Sequence, residues 1–314
     1  MLRFQHDGAL AGLMPLTREK RYYRWPIPHL RNWVHANCFL GTPLVARGAE
    51  EPFWRALLGW ADAYAGAALF LHLGSMPLEG PLHEALMRVL EGEEREAGLV
   101  MREDRALLSS SLSPEAYLEA AMSGKKRKEL RRQHTRLSEL GVLATERSSD
   151  EAGLANWTEA FLALEHSGWK GAAGSALACH RATADLFREA LAGAAARGRL
   201  ERLSLTLDSE PIAMLASFLT PPGGYSFKTA FDERYARFSP GVLLQRENLV
   251  VLERPEIDWV DSCAAADHPM IDHVWRERRP IGRWSIAIGG AARRRLFHHV
   301  LKAEMGRKSE GPDA

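Results

Sequence analysis

The sequence predicts a mixed α/β fold in two lobes rather than a doubly wound sheet. Three observations carry that reading. The chain has 314 residues, and at about 150 residues per domain this length suits two modest domains. Strand-like alternation and helix-like periodicity take turns along the whole sequence. Residues 199–233, RLERLSLTLDSEPIAMLASFLTPPGGYSFKTAFDE, read as three successive strands turning at residues 208–211 and 221–224, a connection only antiparallel strands make so briefly.

The chain opens on LRFQHDGALAGLMPL, which reads as a strand, an Asp7-Gly8 turn and a second strand. RYYRWPI reads as a further aromatic strand and PHLRNWVHANCFLGTPLV as mostly irregular. In EEPFWRALLGWADAYAG, Phe53, Leu57, Leu58 and Ala61 fall on one helical face. ALFLHLGSM is a short buried strand, PLHEALMRVLEGEER a helix opened by Pro81, and GLVMREDRALLSSS an extended stretch. Ser113-Pro114-Glu115 opens a helix through YLEAAM, and Gly141 stops the next, KKRKELRRQHTRLSEL. That basic helix is the expected hinge, giving a first lobe of residues 1–140 and a second of residues 141–314.

In the second lobe VLATERS is a strand, GLANWTEAFLALEHSG an amphipathic helix and SALACHRATADLFREALAGAAARG a long Ala-rich one. The three-strand run follows, then an irregular loop, ERYARFSPG, and a helix VLLQRENLVVLE. A strand IDWVDSCA, a helix HPMIDHVWRERR, a strand WSIAIGG and a last helix RRRLFHHVLKAEM complete the order.

Composition removes several function classes. Lys and Arg number 41 against 40 Asp and Glu, a net charge of +1, whereas a nucleic-acid coat or an acidic tail needs a large excess of one sign. Cys38, Cys179 and Cys263 lie far apart, so neither a disulfide framework nor a Cys-rich zinc site is expected. His298 and His299 are adjacent and point to different sides of a helix, so no metal site is expected. The start carries Arg3, His6 and Asp7 and lacks a long apolar core, unlike a signal peptide. The most apolar stretch, WADAYAGAALFLHLGSM, contains Asp62 and His72, so no spanning helix is expected. The expected compartment is the cytoplasm, with peripheral membrane contact open to it.

The loop from Asp232 to Gly241 is the strongest chemical signal. It follows a strand and opens a helix through Ser239-Pro240-Gly241, and a helix N-terminus presents backbone N–H groups and a positive dipole end to an anion. Equally, Ser239 and Pro240 are an ordinary cap and first helical residue.

Two helices, three antiparallel strands and then this loop resemble the GNAT acyltransferase fold. GWKG (residues 168–171), YSFKTAFDERYARFSPGVLL (225–244) and WVDSCAAADHPMIDHVWRERRPIG (259–282) are similar to the CelD/BcsL group of that superfamily, which is related in fold to the FemABX peptidyltransferases. The resemblance is clear from about Ser123 onward and looser through GLMPL and GTPLV. It implies two GNAT-like lobes, of which the first lacks its opening elements, so that the native chain starts upstream or this member is shortened. It also implies an acyl-coenzyme A donor. The diphosphate would lie on Phe238, Ser239, Pro240, Gly241, Val242 and Leu243, and the strand from Tyr225 to Phe231 would open to admit the pantetheine arm. This loop has one glycine, Gly241, where the family's loop has more.

Acyl transfer needs a base, a stabiliser for the tetrahedral oxyanion and a proton for the thiolate. Lys228 and Asp232 lie four residues apart and share a strand face if extension persists; they suit an oxyanion or an acidic acceptor, and equally a surface ion pair. Glu165, His166, Trp169 and Lys170 fall where the resemblance places a wall of the acceptor cleft, with Glu165 or His166 as candidate base. Asp261 sits in an apolar strand and needs a partner there. His268 precedes Asp272 at helical spacing and titrates near neutrality. Cys263 reads as a buried, inert thiol. The run KKRKELRRQHTR, Lys125 to Arg136, holds seven Lys or Arg against one Glu, suited to phosphates of a lipid surface, a nucleotide-linked acceptor or tRNA, and equally to a solvated helix.

The sequence therefore predicts an acyltransferase moving an acyl group from acyl-coenzyme A to an amine or hydroxyl of a glycan, lipid precursor or small metabolite by direct attack, without a metal. A FemABX-like transferase using aminoacyl-tRNA is one alternative. A non-catalytic binding module of envelope or polysaccharide assembly is the other.

Overall fold

The computed structural model describes residues 1–268 and 270–309. The chain forms two compact units, residues 1–104 with 279–314, and residues 105–278. The expected division at residues 140 and 141 falls inside the second unit, because Leu130 and Leu137 of the basic helix are buried in its core.

In the first unit the chain runs β1 (Leu2–His6), β2 (Ala9–Met14), β3 (Leu16–Glu19), β4 (His29–Asn32), β5 (Leu44–Val45), α1 (Glu50–Tyr64), β6 (Phe70–Pro77), α2 (Pro81–Gly92) and into β7 (Ala97–Leu108). The second unit holds α3 (Pro114–Ala121), α4 (Gly124–Ser138), β8 (Leu143–Ser148), α5 (Leu154–Ser167), the short α6 (Trp169–Ala172), α7 (Arg181–Ala195), β9 (Leu200–Leu207), β10 (Glu210–Thr220), β11 (Gly223–Phe231), α8 (Pro240–Asn248) and β12 (Trp259–Asp261). Then β13 (Glu277–Ala287) leads back to the first unit, which ends in α9 (Ala291–Ser309).

The opening hairpin is as expected: Asp7 and Gly8 take φ of +50° and +78°, the left-handed pair that a two-residue turn requires. RYYRWPI is a correction. Tyr22 and Trp25 exchange backbone hydrogen bonds at 3.0 Å, making a tight turn rather than a strand, and Pro26 and Pro28 deny the following residues ladder donors. The expected helical face of α1 is the buried one: Phe53, Leu57, Leu58 and Ala61 pack with Leu86 and Val89 of α2 over β6.

In the second unit β8, β9, β10 and β11 form the expected antiparallel meander. β10 is a central strand, buried on both sides, so its sequence is almost continuously apolar. Ala213 and Leu215 face the cluster built with α4 and α8, while Met214 and Ala216 face Phe161 of α5 and Phe187 of α7. The expected helix HPMIDHVWRERR is absent among the described residues. Its apolar residues Ile271, Val274 and Trp275 are buried, but separate turns place them, with Asp272 N–H donating to His268 O at 3.1 Å and Trp275 N–H to Ile271 O at 2.9 Å. Pro269 lies outside the described residues. Helical spacing was thus a true sign of burial there and a false sign of a continuous helix. Three smaller corrections follow: α7 starts only at Arg181, α8 stops at Asn248, and β13 begins at Glu277, earlier than WSIAIGG.

Candidate active site

The site lies where β11 leaves its neighbour. β11 pairs in parallel with β12 through Gly223, Gly224 and Tyr225, opposite Trp259, Val260 and Asp261. β12 ends there, and β11 continues to Phe231. On its other side β11 carries a bulge: Ser226 pairs with Ser217 and Lys228 with Ala216, so Phe227 is the extra residue. A bulge increases local twist and re-aims the side chains around it. The sequence of β11 thus delivers Lys228 beyond the part of the strand that pairs with β12.

Lys228 lies in the field of Glu165, Lys170 and Cys263. Burial holds its ammonium below the usual lysine range, Lys170 lowers it further, and the Glu165 charge partly offsets both. Glu165, 3% exposed, is fully engaged at both oxygens. Oε1 accepts from Lys170 Nζ at 3.0 Å and Oε2 from the Leu177 amide at 2.8 Å. Lys170 Nζ also donates to the Thr229 carbonyl of β11 at 3.2 Å. This ties α5, α6 and β11 around a cavity of about 30 Å³, lined by Glu165, Trp169, Lys170, Thr229, Phe231 and Glu233 among others, space for one water. Trp169 is exposed, and its amide donates to Glu233 Oε1 at 2.7 Å. Gly171 makes α6 possible, since a Cβ there would sit 1.8 Å from His166 O.

His268 comes to the same neighbourhood. Burial lowers its pKa below the ordinary imidazole value, Asp272 partly offsets this and Lys170 adds to it, all of which favours the neutral ring on balance. Nδ1 accepts from the Met270 amide at 3.4 Å, an arrangement that puts the ring proton on Nε2.

Other expected residues serve the scaffold. Asp261, wholly buried, pairs with Arg105 at 3.3 Å and accepts from the Cys263 amide at 2.8 Å. It holds the turn that puts Cys263 at φ +53°. Asp232 commits its carboxylate to Arg234, accepting from its amide and guanidinium, and these bonds hold it below the usual carboxylate range. Tyr225 meets Trp259 edge to face, ring centroids 5.6 Å apart.

The helix start is less open than expected. Ser239 takes φ +54° and makes no side-chain cap bond. Its amide donates to Ala236 O at 2.9 Å, while its carbonyl accepts from the Val242 and Leu243 amides at 2.9 and 3.0 Å. Pro240 has no N–H. Of the six loop residues, Ser239, Pro240, Val242 and Leu243 thus bring no outward donor, and Phe238 and Leu243 are core residues. A Cβ on Gly241 would meet Met270 Sδ at 2.6 Å, so Met270 lies against the loop. Beside Phe238, Arg132 and Arg136 of α4 and Arg237 line a cleft of about 340 Å³ with Glu129 and Glu139.

Sequence reasoning missed Thr229, Glu233 and Met270. The first acts through its backbone and the other two through non-local packing, so none carried a local signal. Among the described residues no group of three or more His, Cys, Asp or Glu is placed to hold a metal ion, and no helix is long and apolar enough to cross a membrane.

A meander whose last strand diverges from a parallel neighbour, followed by a loop and a helix, is the layout the resemblance predicts. Residues 124–269 match the family model described as acetyltransferase (GNAT) domain. Over that span the chain is similar to a GNAT domain. Among solved structures the chain is similar in fold to "Crystal structure of FemX", with a TM-score of 0.53 at 11% identity over 95% of this chain and 89% of that one. It is similarly close to the C-terminal domain (DUF2156) of a putative lysylphosphatidylglycerol synthetase from Agrobacterium fabrum, TM-score 0.52 at 14% identity over 93% and 84%. A conserved protein of unknown function from Bacteroides thetaiotaomicron gives 0.53 at 12% identity over 84% and 81%. No curated protein matches the sequence. The mixed α/β fold expected from the sequence is the fold observed, and the matched residues 124–269 lie wholly within the second unit, residues 105–278.

Proposed function

We propose that the GNAT domain transfers an acyl group from acyl-coenzyme A to an amine or hydroxyl of a glycan, lipid precursor or small metabolite, by direct attack. The observation that carries this reading is the parting of β11 from β12 beyond Tyr225, with Lys228 on the released stretch. The pantetheine arm lies along residues 226–231, whose backbone pairs with it as a neighbouring strand would. The acceptor approaches from the α5–α6 corner, past Trp169 and Lys170.

Lys228, as a cation, stabilises the oxyanion of the tetrahedral intermediate. The carboxylate of Glu165 positions Lys170 and keeps part of the charge on Lys228 rather than serving as a free base. His268 Nε2–H donates a hydrogen bond to the departing sulfur, and the proton that the attacking amine or hydroxyl loses passes to the thiolate, so that the step releases the acylated acceptor and free coenzyme A thiol. Arg132, Arg136 and Arg237 suit the nucleotide phosphates, taking over what a one-glycine loop provides poorly. On this reading residues 141–314 contain the chemistry, and α4 contributes to donor binding from outside that span.

The test is thermal stability of the protein with coenzyme A, acetyl-coenzyme A and palmitoyl-coenzyme A. A ligand at about a hundred times its dissociation constant adds about 2.7 kcal/mol, and Gly241→Asp is expected to abolish that shift. No shift with any of the three, together with salt-sensitive tRNA binding, would replace the reading by a tRNA-dependent transferase. No binding to either would leave a non-catalytic module.

A further inference from the structure

The first unit contains an apolar cavity of about 580 Å³ that the proposed reaction does not use, lined by Tyr22, Trp25, Ile27, Val100, Val300 and Ala303 among others. Its one carboxylate, Glu304, accepts from the Tyr22 hydroxyl at 2.8 Å and the Tyr23 hydroxyl at 3.5 Å. The tight turn of residues 22–25 forms part of its wall, and Tyr23 there takes φ +50°, a conformation that costs an aromatic residue energy. That turn leaves Tyr23 65% and Trp25 47% exposed.

Cations interleave with these rings. Lys20, Arg21 and Arg24 are exposed, and the Arg24 guanidinium sits 5.5 Å from the Trp25 ring centroid. Exposed Tyr and Trp beside Lys and Arg suit the boundary between water and lipid: the rings sit at headgroup level and the cations meet anionic phosphates. An apolar peptide would fill the cavity equally well, but it would give the surrounding cations nothing to meet.

We propose that this face of the first unit docks on an anionic phospholipid surface, with the turn among the headgroups and the end of one acyl chain in the cavity. The proposal is independent of the acyltransferase reading.

The experiment is co-sedimentation of the full chain with vesicles of equimolar phosphatidylglycerol and phosphatidylcholine, against vesicles of phosphatidylcholine alone. Binding to the anionic vesicles is expected, weakening with salt. Arg21→Ala with Arg24→Ala should lower the partition coefficient about thirtyfold. Tyr23→Ala with Trp25→Ala should lower it about tenfold. Both variants alter exposed side chains, and an unchanged urea midpoint verifies their folding. Lys126→Glu with Lys128→Glu on α4 should leave binding intact. Phosphatidylcholine brominated on its chains, mixed with phosphatidylglycerol, should quench the wild-type tryptophan fluorescence more than that of Trp25→Phe. Equal binding by the turn variants, loss only with the α4 variant, indifference to lipid charge, or equal quenching would each overturn the proposal.

Discussion

Two buried carboxylates in the second unit each face two cations, and they do different work. Glu201 of β9, 2% exposed, sits between Arg147 of β8 and Arg254, bonded to both guanidinium groups. Arg147 also donates to Glu247 O at 2.9 Å, so this cluster clamps β8, β9 and the end of α8. Glu165 has the same count, with Lys170 bonded to it and Lys228 in its field. The difference is the cation. A guanidinium keeps its charge at any working pH, whereas a buried ammonium can give up its proton. Residue identity, rather than the presence of a buried ion cluster, separates a clamp from a site able to do proton chemistry.

The largest effects should fall on opposite sides of that comparison. Lys228→Met should cost about a hundredfold in kcat with an acyl-coenzyme A donor, the scale of losing one oxyanion stabiliser. Its urea midpoint should hold or rise, since an apolar isostere relieves a buried charge. Glu201→Ala should do the reverse, lowering stability by about 3 kcal/mol while the folded fraction keeps its kcat. If Lys228→Met unfolds the protein, or Glu201→Ala abolishes turnover without loss of stability, the two clusters have been assigned the wrong way round.

A pH profile sharpens the contrast. Burial lowers the Lys228 pKa from its ordinary 10.5. If the cation is the working form, kcat declines on an alkaline limb that sits below that value. The Glu165 charge raises the Lys228 pKa, so Glu165→Gln should move the limb further down. The linkage sign agrees. Between the folded pKa and 10.5 the unfolded lysine binds more protons, so this group makes stability rise with pH across that window. A limb that stays put in Glu165→Gln would remove Lys228 as its origin.

Much of this was legible in the sequence, for identifiable reasons. The meander could be read because each of its strands is long and its turns are short, and β10 is apolar nearly throughout because both its faces are covered. Glu165, Lys170, Lys228 and His268 were all named from the sequence. Their convergence was not, because Gly168 breaks the helix between Glu165 and Lys170 and lets two residues five apart meet. The parting of β11 from β12 was equally hidden: a three-residue parallel partner some thirty residues downstream in sequence leaves no periodic trace. Asp261 and Asp232 were read as candidates for chemistry, and their neighbours claim them: Arg105 and the Cys263 amide for one, Arg234 for the other.

The smallest expected effect probes the loop itself. A methyl at position 241 must displace Met270 Sδ, which lies 2.6 Å from where the Cβ would stand. Because that sulfur is near the end of an unbranched side chain, the displacement is affordable, and Gly241→Ala should cost about 1 kcal/mol of stability. Met270→Ala removes the obstacle, so the double variant should recover most of that loss, a coupling of about 1 kcal/mol between two residues 29 positions apart in sequence. The same cycle read in coenzyme A binding distinguishes two roles for Met270. If the methionine only packs against the loop, Met270→Ala leaves the thermal shift with coenzyme A as it was. If it covers the ground the diphosphate needs, Met270→Ala enlarges the shift and Gly241→Ala does not, because the new methyl fills the space from which it displaces the sulfur.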